Sequence, residues 1–344
     1  MNSDNTYRTC SNLTQTSFFD TPDFLNYTSH LIAIITVPIH IFGFYCVIFK
    51  TSVKVKSVKS AMLISCFFAF VLDIFLTILS IPFILAPAAA GFPLGLLNML
   101  NVSIQSQTMM GIFAVEVTFC SIVSLVQNRY CQIARISPKH SKIFKSLTWI
   151  VNLSVSFLVC YVSYCLIPNQ VSARAYVFIE TLPCLPQYIY DSPVFVFTRD
   201  SISSTICFGL PVIGIGMELA YFTLGSFYHL YIENDHRLSL HTKMLQRKFF
   251  IAVLLQVSVP IIALFFPLAF FGYSLVFEYY NQAFNNSAML FLCSHGTLET
   301  LSMILIHRPY RTTLFCGNKP NKTLFKVKQS PRCSNMSSAP RAKT

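Results

Sequence analysis

The stretch FFIAVLLQVSVPIIALFFPLAFFGYSLVF, from Phe249 to Phe277, runs for 29 residues without a lysine, arginine, aspartate or glutamate. An apolar run of this length reads as a transmembrane helix, because about 20 helical residues already cross a hydrocarbon core of roughly 30 Å. Arg247 and Lys248 stand immediately before it. Working outward, six further stretches have the same character: His30–Phe49, Ser60–Leu85, Ser106–Val126, Ser146–Ile167, Ser201–Phe227 and Asn286–Ile306. The expected fold is an all-α integral membrane protein, a bundle of seven transmembrane helices.

The 25 lysines and arginines then set the orientation. Lys50, Lys54, Lys56 and Lys59 follow the first stretch, and Arg129, Arg135, Lys139, Lys142 and Lys145 follow the third. Arg237, Lys243, Arg247 and Lys248 follow the fifth, and the rest of the cluster lies beyond the seventh, from Arg308 to Lys343. Only Arg8, Arg174 and Arg199 fall on the opposite side. Cations in short loops are retained in the cytoplasm, so the N-terminus is expected outside the cell and the C-terminus inside. The chain divides into an extracellular segment (1–29), a seven-helix domain (30–306) and a cytoplasmic tail (307–344), expected to begin with a short juxtamembrane helix and continue disordered.

Composition agrees: 54% of residues are hydrophobic and 11% charged, against about 25% charged in soluble domains. The net charge of +12 is juxtamembrane, where it faces anionic lipid, so the bilayer is the implied partner and nucleic acid is not. The polar residues 1–29 lack the pattern of a cleaved signal, and the first span is expected to serve as its own insertion signal. Sequons at Asn12 and Asn26 fall in this outer segment and are candidate glycosylation sites. Most of the 12 cysteines fall in or beside spans, where they act as small apolar residues. Cys10 and Cys184 are clearly on the oxidising side and are the one pair that a disulfide could join. Cys316, ten residues past the last span, is a candidate for palmitoylation.

Charges in hydrocarbon cost on the order of 3 kcal/mol each, so Asp73, Glu116, Glu218 and Glu299 are expected to face the bundle interior. Asp73 and Glu116 lie near mid-span, within reach of His40 or His295. Glu116 and His295 are the candidate ligand-binding groups. His40, Asp73 and Glu299 are expected to form a structural polar core, since such side chains hold helices together in lipid. Prolines 38, 82, 211, 260 and 267 fall inside the predicted spans and supply kinks. Asn128-Arg129-Tyr130 stands where the third span ends, at the position at which heptahelical receptors keep an Asp/Glu-Arg-Tyr motif. Asn128 replaces the acid, so a lock that pairs a carboxylate at that position with Arg129 is not assumed. There is no HExxH, GxSxG, CxxC pair or Walker motif, so no enzyme, metal site or cofactor is indicated. The seventh span has no lysine to anchor retinal.

Several segments resemble the nematode serpentine receptor class H chemoreceptors: Pro38–Thr51, Asn128–Tyr130, Leu182–Pro186, Pro193–Val196, Gln246–Phe250, Tyr279–Asn286 and the closing His307-Arg-Pro-Tyr-Arg311. The resemblance extends from about Thr21 to Arg311. It implies a G-protein-coupled chemosensory receptor of the plasma membrane, in sensory cilia, that binds a small molecule in an outer-facing pocket and activates a heterotrimeric G protein. Asn128, Arg129, Tyr130, Arg247, Lys248, Arg308 and Arg311 would then form the coupling surface. The chain departs from rhodopsin-like receptors in lacking a cysteine at the outer end of the third span and an NPxxY motif in the seventh. Two rival readings are an odorant-gated ion channel and a transporter that relays protons through Asp73, Glu116 and Glu299. The insect type of such channels has its N-terminus inside, against the charge bias.

Overall fold

The computed structural model describes residues 17–51, 56–233 and 240–316. Among the described residues six helices are long and apolar enough to cross a membrane, and a bent pair makes a seventh crossing if its two parts form one span. They are α1 (Pro22–Tyr45), α2 (Lys56–Ile74), α3 (Ile104–Ile133), α4 (Pro138–Cys165), α5 (Ser201–Phe227) and α6 (Leu240–Phe277). The bent pair is α7 (Gln282–Cys293) and α8 (His295–Ile306), with 42° between the two parts. A short α9 (Arg308–Cys316) follows. Wider π-type turns, Cys46–Lys50, Phe75–Leu79 and Tyr228–Ile232, extend α1, α2 and α5. The starts are capped as their sequences dictate: Thr21, Ser103, Ser137 and Asn281 each accept a first-turn N–H, and Pro22 and Pro138 occupy positions where no N–H is needed.

Helix α3 is the axis of the bundle, and every residue from Glu116 to Arg129 is buried. The peripheral α4 and α5 instead expose Ile150, Phe157, Leu158, Tyr161, Ile213, Met217 and Leu224 to lipid. That third helix outruns its expected end at Val126 by seven residues, because Gln127, Asn128 and Arg129 are enclosed by neighbouring helices instead of marking a boundary. Hydropathy cannot distinguish a polar residue held inside a bundle from one that leaves it.

The second span is shorter than expected. Helical backbone stops at Leu79, and Pro82, expected as a kink, opens a strand. Proline has no N–H with which to continue the helix, and Ile81 before it leaves the helical region with a φ of 45°. The apolar run continues through this break, which is why it passes for helix. Strands β1 (Pro82–Ile84), β2 (Ala90–Pro93) and β3 (Phe195–Val196) form an antiparallel sheet in that order, the exception to an all-helical reading. Phe83 pairs with Phe92, and Gly91 faces both Ile84 and Phe195 across its two neighbours. A Cβ on Gly91 would lie 2.3 Å from the Phe83 carbonyl oxygen, so only glycine allows the sheet to close.

The sheet follows directly on the end of α2 and packs against α7. Gln282 donates to the Ile84 carbonyl at 3.1 Å and Asn285 to that of Ala86 at 3.0 Å. Asn286 donates to the Phe19 carbonyl at 2.8 Å, and Tyr188 to that of Asp20 at 3.3 Å, so the N-terminal turn joins the same cover. The free edge of β3 is closed by a side chain: Gln170 accepts the Val196 N–H at 2.9 Å and donates to its carbonyl at 3.0 Å. This amide substitutes for a fourth strand. Gln170→Ala is expected to cost about 1–3 kcal/mol by orphaning that backbone pair, read as a lowered melting temperature of the purified protein.

Cys184 is disulfide-bonded, while Cys10 and Asn12 lie outside the described residues. Asn26 lies inside α1, half-buried, a poor setting for a glycan. Cys316 is the last residue of α9.

Candidate functional site

Three groups of polar residues occupy successive depths of the bundle. At mid-depth, Asp73 of α2 is fully buried and meets α1 and α8 together. One carboxylate oxygen accepts from His40 Nε2 at 3.1 Å and the Thr297 hydroxyl at 3.3 Å. The other accepts from the Gly296 backbone N–H at 3.1 Å and lies 3.0 Å from His295 Nδ1. Four donors saturate the carboxylate, which makes its burial tolerable. Thr300 contacts the other nitrogen of His40 at 3.1 Å, and Thr36 meets Thr297 at 2.6 Å. Asp73 thereby caps α8 from another helix, placing negative charge at the N-terminus created by the bend after Ser294.

His40 and Asp73 thus lie together, as does Glu299, whose carboxylate accepts from Ser65 of α2. His295, expected to face ligand beside Glu116, sits in this core instead, fully buried and bonded to Asp73 and to the Leu292 carbonyl at 2.9 Å. A neighbouring carboxylate takes up the imidazole before any ligand can. Gly296, Thr297, Thr300 and Ser65 had no place in the sequence reading. Their signal was the crowding of His295, Gly296, Thr297, Glu299 and Thr300 into a turn and a half of one helix.

Glu116 stands apart from that core. It is 5% exposed, and among the described residues it has no hydrogen bond or ion pair. Cys120 lies one turn further along, and Glu218 of α5 accepts from Asn152 of α4 at 3.0 Å on that side of α3. A carboxyl group this deep and unengaged is suited to hydrogen-bonding a small molecule between α3 and its neighbours.

The third group is at the end of the bundle opposite the sheet. Lys145 of α4 donates to the Asn128 side-chain oxygen at 2.5 Å, so the residue replacing the motif acid is occupied by a cation from another helix. Arg129 is 9% exposed, with its guanidinium 5.9 Å from the centre of the Phe249 ring. Its side-chain hydrogen bond to Gln132 is long at 3.4 Å, and among the described residues it has no carboxylate partner. Tyr130 packs among Tyr221, Phe222 and His229, at ring separations of 5.8, 5.6 and 6.0 Å. A side chain on Gly225 would strike it at 2.7 Å.

Two cavities of about 90 Å³ open here, sharing Ile133 and Gln246. Arg129, Gln132 and Phe249 line one; Arg135, His229 and Lys243 line the other. Around them, Arg247 donates to the Leu230 carbonyl at 2.9 Å and lies 4.3 Å from the Tyr231 ring centre, whereas Lys248, Arg308 and Arg311 are exposed. His307 meets Gln256 at 2.9 Å. Burial, then the Arg129 charge, pushes the His307 pKa down to about 4. Neutral His307 therefore adds no charge to that of Arg129 at physiological pH. Tyr310 is buried and tied to Thr51, holding α9 against the end of α1.

A bundle of six long apolar helices and a bent pair, with a buried arginine in the last turns of its central helix, invites comparison with known receptors. The family model described as "Serpentine type 7TM GPCR chemoreceptor Srh" matches residues 20–316. The chain belongs to the Srh family. It is similar to "Serpentine receptor class H-72" of Caenorhabditis elegans, with 22% identity over 296 residues, 83% of each chain. Srh proteins are a receptor family, not an enzyme family, and this member is a multi-pass membrane protein. The match includes the sheet, the Asp73 core, Glu116 and the Arg129 end.

Proposed function

We propose that this Srh protein is a chemosensory receptor which binds a small molecule, such as an odorant or pheromone, near Glu116 and activates a heterotrimeric G protein at the Arg129 end. The observation that carries this reading is the pairing, on one central helix, of an unengaged carboxyl at mid-depth with a desolvated arginine that has no carboxylate partner among the described residues. The cation bias assigns the sheet end to the outside and the Arg129 end to the cytoplasm, in the plasma membrane and, for a chemosensor, its sensory cilium.

The ligand is apolar apart from a group that hydrogen-bonds a carboxyl, and α3, α5, α6 and the α7–α8 pair surround it. It signals only by binding more tightly to the state with a spread cytoplasmic end, since equal affinity for both states shifts nothing. Asn128, Arg129 and Tyr130 then meet the Gα subunit, and Arg247, Lys248, Arg308 and Arg311 supply the cationic rim.

A ligand screen in a heterologous cell, read by both calcium and cyclic nucleotide, tests the proposal. Agonist-evoked current that persists with G-protein signalling blocked would overturn it. With an agonist in hand, Glu116→Gln is expected to raise the half-maximal concentration about tenfold, the loss of one charge-assisted hydrogen bond. Unchanged potency at normal surface expression removes Glu116 from the pocket.

A further inference from the structure

The Asp73 core leaves two buried atoms of α8 without a hydrogen-bond partner, His295 Nε2 and Glu299 Oε2. Their residues are 0% and 2% exposed. Residues four apart on a helix lie one above the other on the same face, and the two groups are close enough to interact electrostatically. An orphaned buried polar group is costly. Two of them on one face are better explained together than separately.

The chemistry of the neighbours restricts what each atom can be. His295 Nδ1 faces the Leu292 carbonyl and the Asp73 carboxylate, both of which only accept, so Nδ1 carries a proton. In a neutral imidazole, Nε2 is then a bare, buried lone pair with no donor to meet it, four residues from Glu299 on the same helix. Glu299 Oε1 already accepts from Ser65, leaving Oε2 to be either a second acceptor or an O–H donor. If Glu299 were ionised and His295 neutral, two buried acceptors without donors would share one helix face with the carboxylate of Asp73 nearby. A proton on Oε2 removes the conflict.

We propose that His295 and Glu299 form a proton-binding site, in which Glu299 is protonated at neutral pH and directs its O–H toward Nε2 of His295 across one enclosed water. Proton transfer breaks the Oε2–H bond and forms Nε2–H, producing an imidazolium between the carboxylates of Asp73 and Glu299 with no change in total charge. That state draws α8 toward α2, and the neutral state relaxes it, so the proton's position biases the half-helix that begins at the bend. The titratable groups facing the site are His40 from α1, Asp73 and Cys66 from α2, and Cys293 from α7. This proposal does not depend on a ligand or a G protein.

Infrared spectroscopy of the purified receptor in lipid nanodiscs tests it. At neutral pH a carboxylic-acid C=O band is expected that disappears in Glu299→Gln, moves in His295→Phe, and fades in the wild type as pH rises. Ser65→Ala removes a donor that stabilises the carboxylate, so the fading is expected to move up by about one pH unit. A wild-type spectrum with no acid band that Glu299→Gln removes overturns the proposal, as does a band indifferent to His295. Should the Glu299 variant fail to fold, the Ser65→Ala shift still decides, and an unmoved titration refutes the site.

Discussion

Gly296→Ala is expected to remove most folded receptor from the cell surface and to lower the melting temperature of whatever can be purified. A Cβ at this position would lie 2.7 Å from both the Ala69 carbonyl oxygen and Asp73 Oδ2, and 2.8 Å from Asp73 Cγ. None of these atoms can yield, because one belongs to the α2 backbone and the others to a carboxylate held by donors from three residues besides Gly296 itself. Helix α8 must therefore retreat from α2. The retreat breaks the Gly296 N–H bond to Asp73 and lengthens those from His295 and Thr297.

Overpacking of this kind costs about 1–3 kcal/mol, and each hydrogen bond to a buried charge a further ~1.5–3 kcal/mol. A loss of about 4 kcal/mol or more is large against a total stability of roughly 5–15 kcal/mol. Gly272→Ala in α6 is the control. A Cβ there meets nothing within 4 Å, and the change is expected to be neutral or stabilising by up to about 1 kcal/mol. Equal melting temperatures for the Gly296 variant and wild type would show that Asp73 does not hold the two helices as described.

Arg129→Ala is expected to abolish G-protein activation while leaving surface delivery intact and the melting temperature unchanged or raised. The two readouts separate because structure and function make opposite demands on the residue. A guanidinium that is 9% exposed, with Nε unpartnered and no carboxylate partner among the described residues, is destabilising where it stands. Alanine relieves that cost. The Phe249 ring at 5.9 Å returns on the order of 1 kcal/mol, too little to make arginine the stable choice. Under the proposed coupling role, the cost is offset by a partner that fills the cavity beside Arg129. Agonist-evoked calcium and cyclic-nucleotide signals, measured alongside surface labelling and melting, check the prediction. Undiminished signalling by the alanine variant would defeat the coupling assignment.

The helices and their number were legible in the chain because bilayer thickness imposes a length that hydropathy registers directly. Legibility failed where apolar character was not the deciding property. Ile81–Ala90 is as apolar as a span, but Pro82 turns it into strands whose partner, Phe195–Val196, lies more than a hundred residues away. Asn128 and Arg129 looked like the end of a helix because they are polar, yet burial by neighbouring helices keeps them inside it. His40 and Asp73 were readable as companions at matching depth. The capture of His295 by the same carboxylate depended on how α8 rotates after the bend at Ser294.

Sequence alone therefore determined the long apolar helices, the bundle end at which cations accumulate, and the depth of each intramembrane charge, since all three follow from the cost of placing polar groups in hydrocarbon. Tertiary structure alone decided which polar groups meet: Asp73 with two histidines and a helix end, Asn128 with Lys145, and Glu116 and Arg129 with no ion-pair partner among the described residues. Position along a helix sets only height. Partner choice depends on rotation about the helix axis and on the approach of neighbouring helices, and these are fixed by packing at glycines such as Gly43, Gly225 and Gly296, where a single methyl group would force the helices apart.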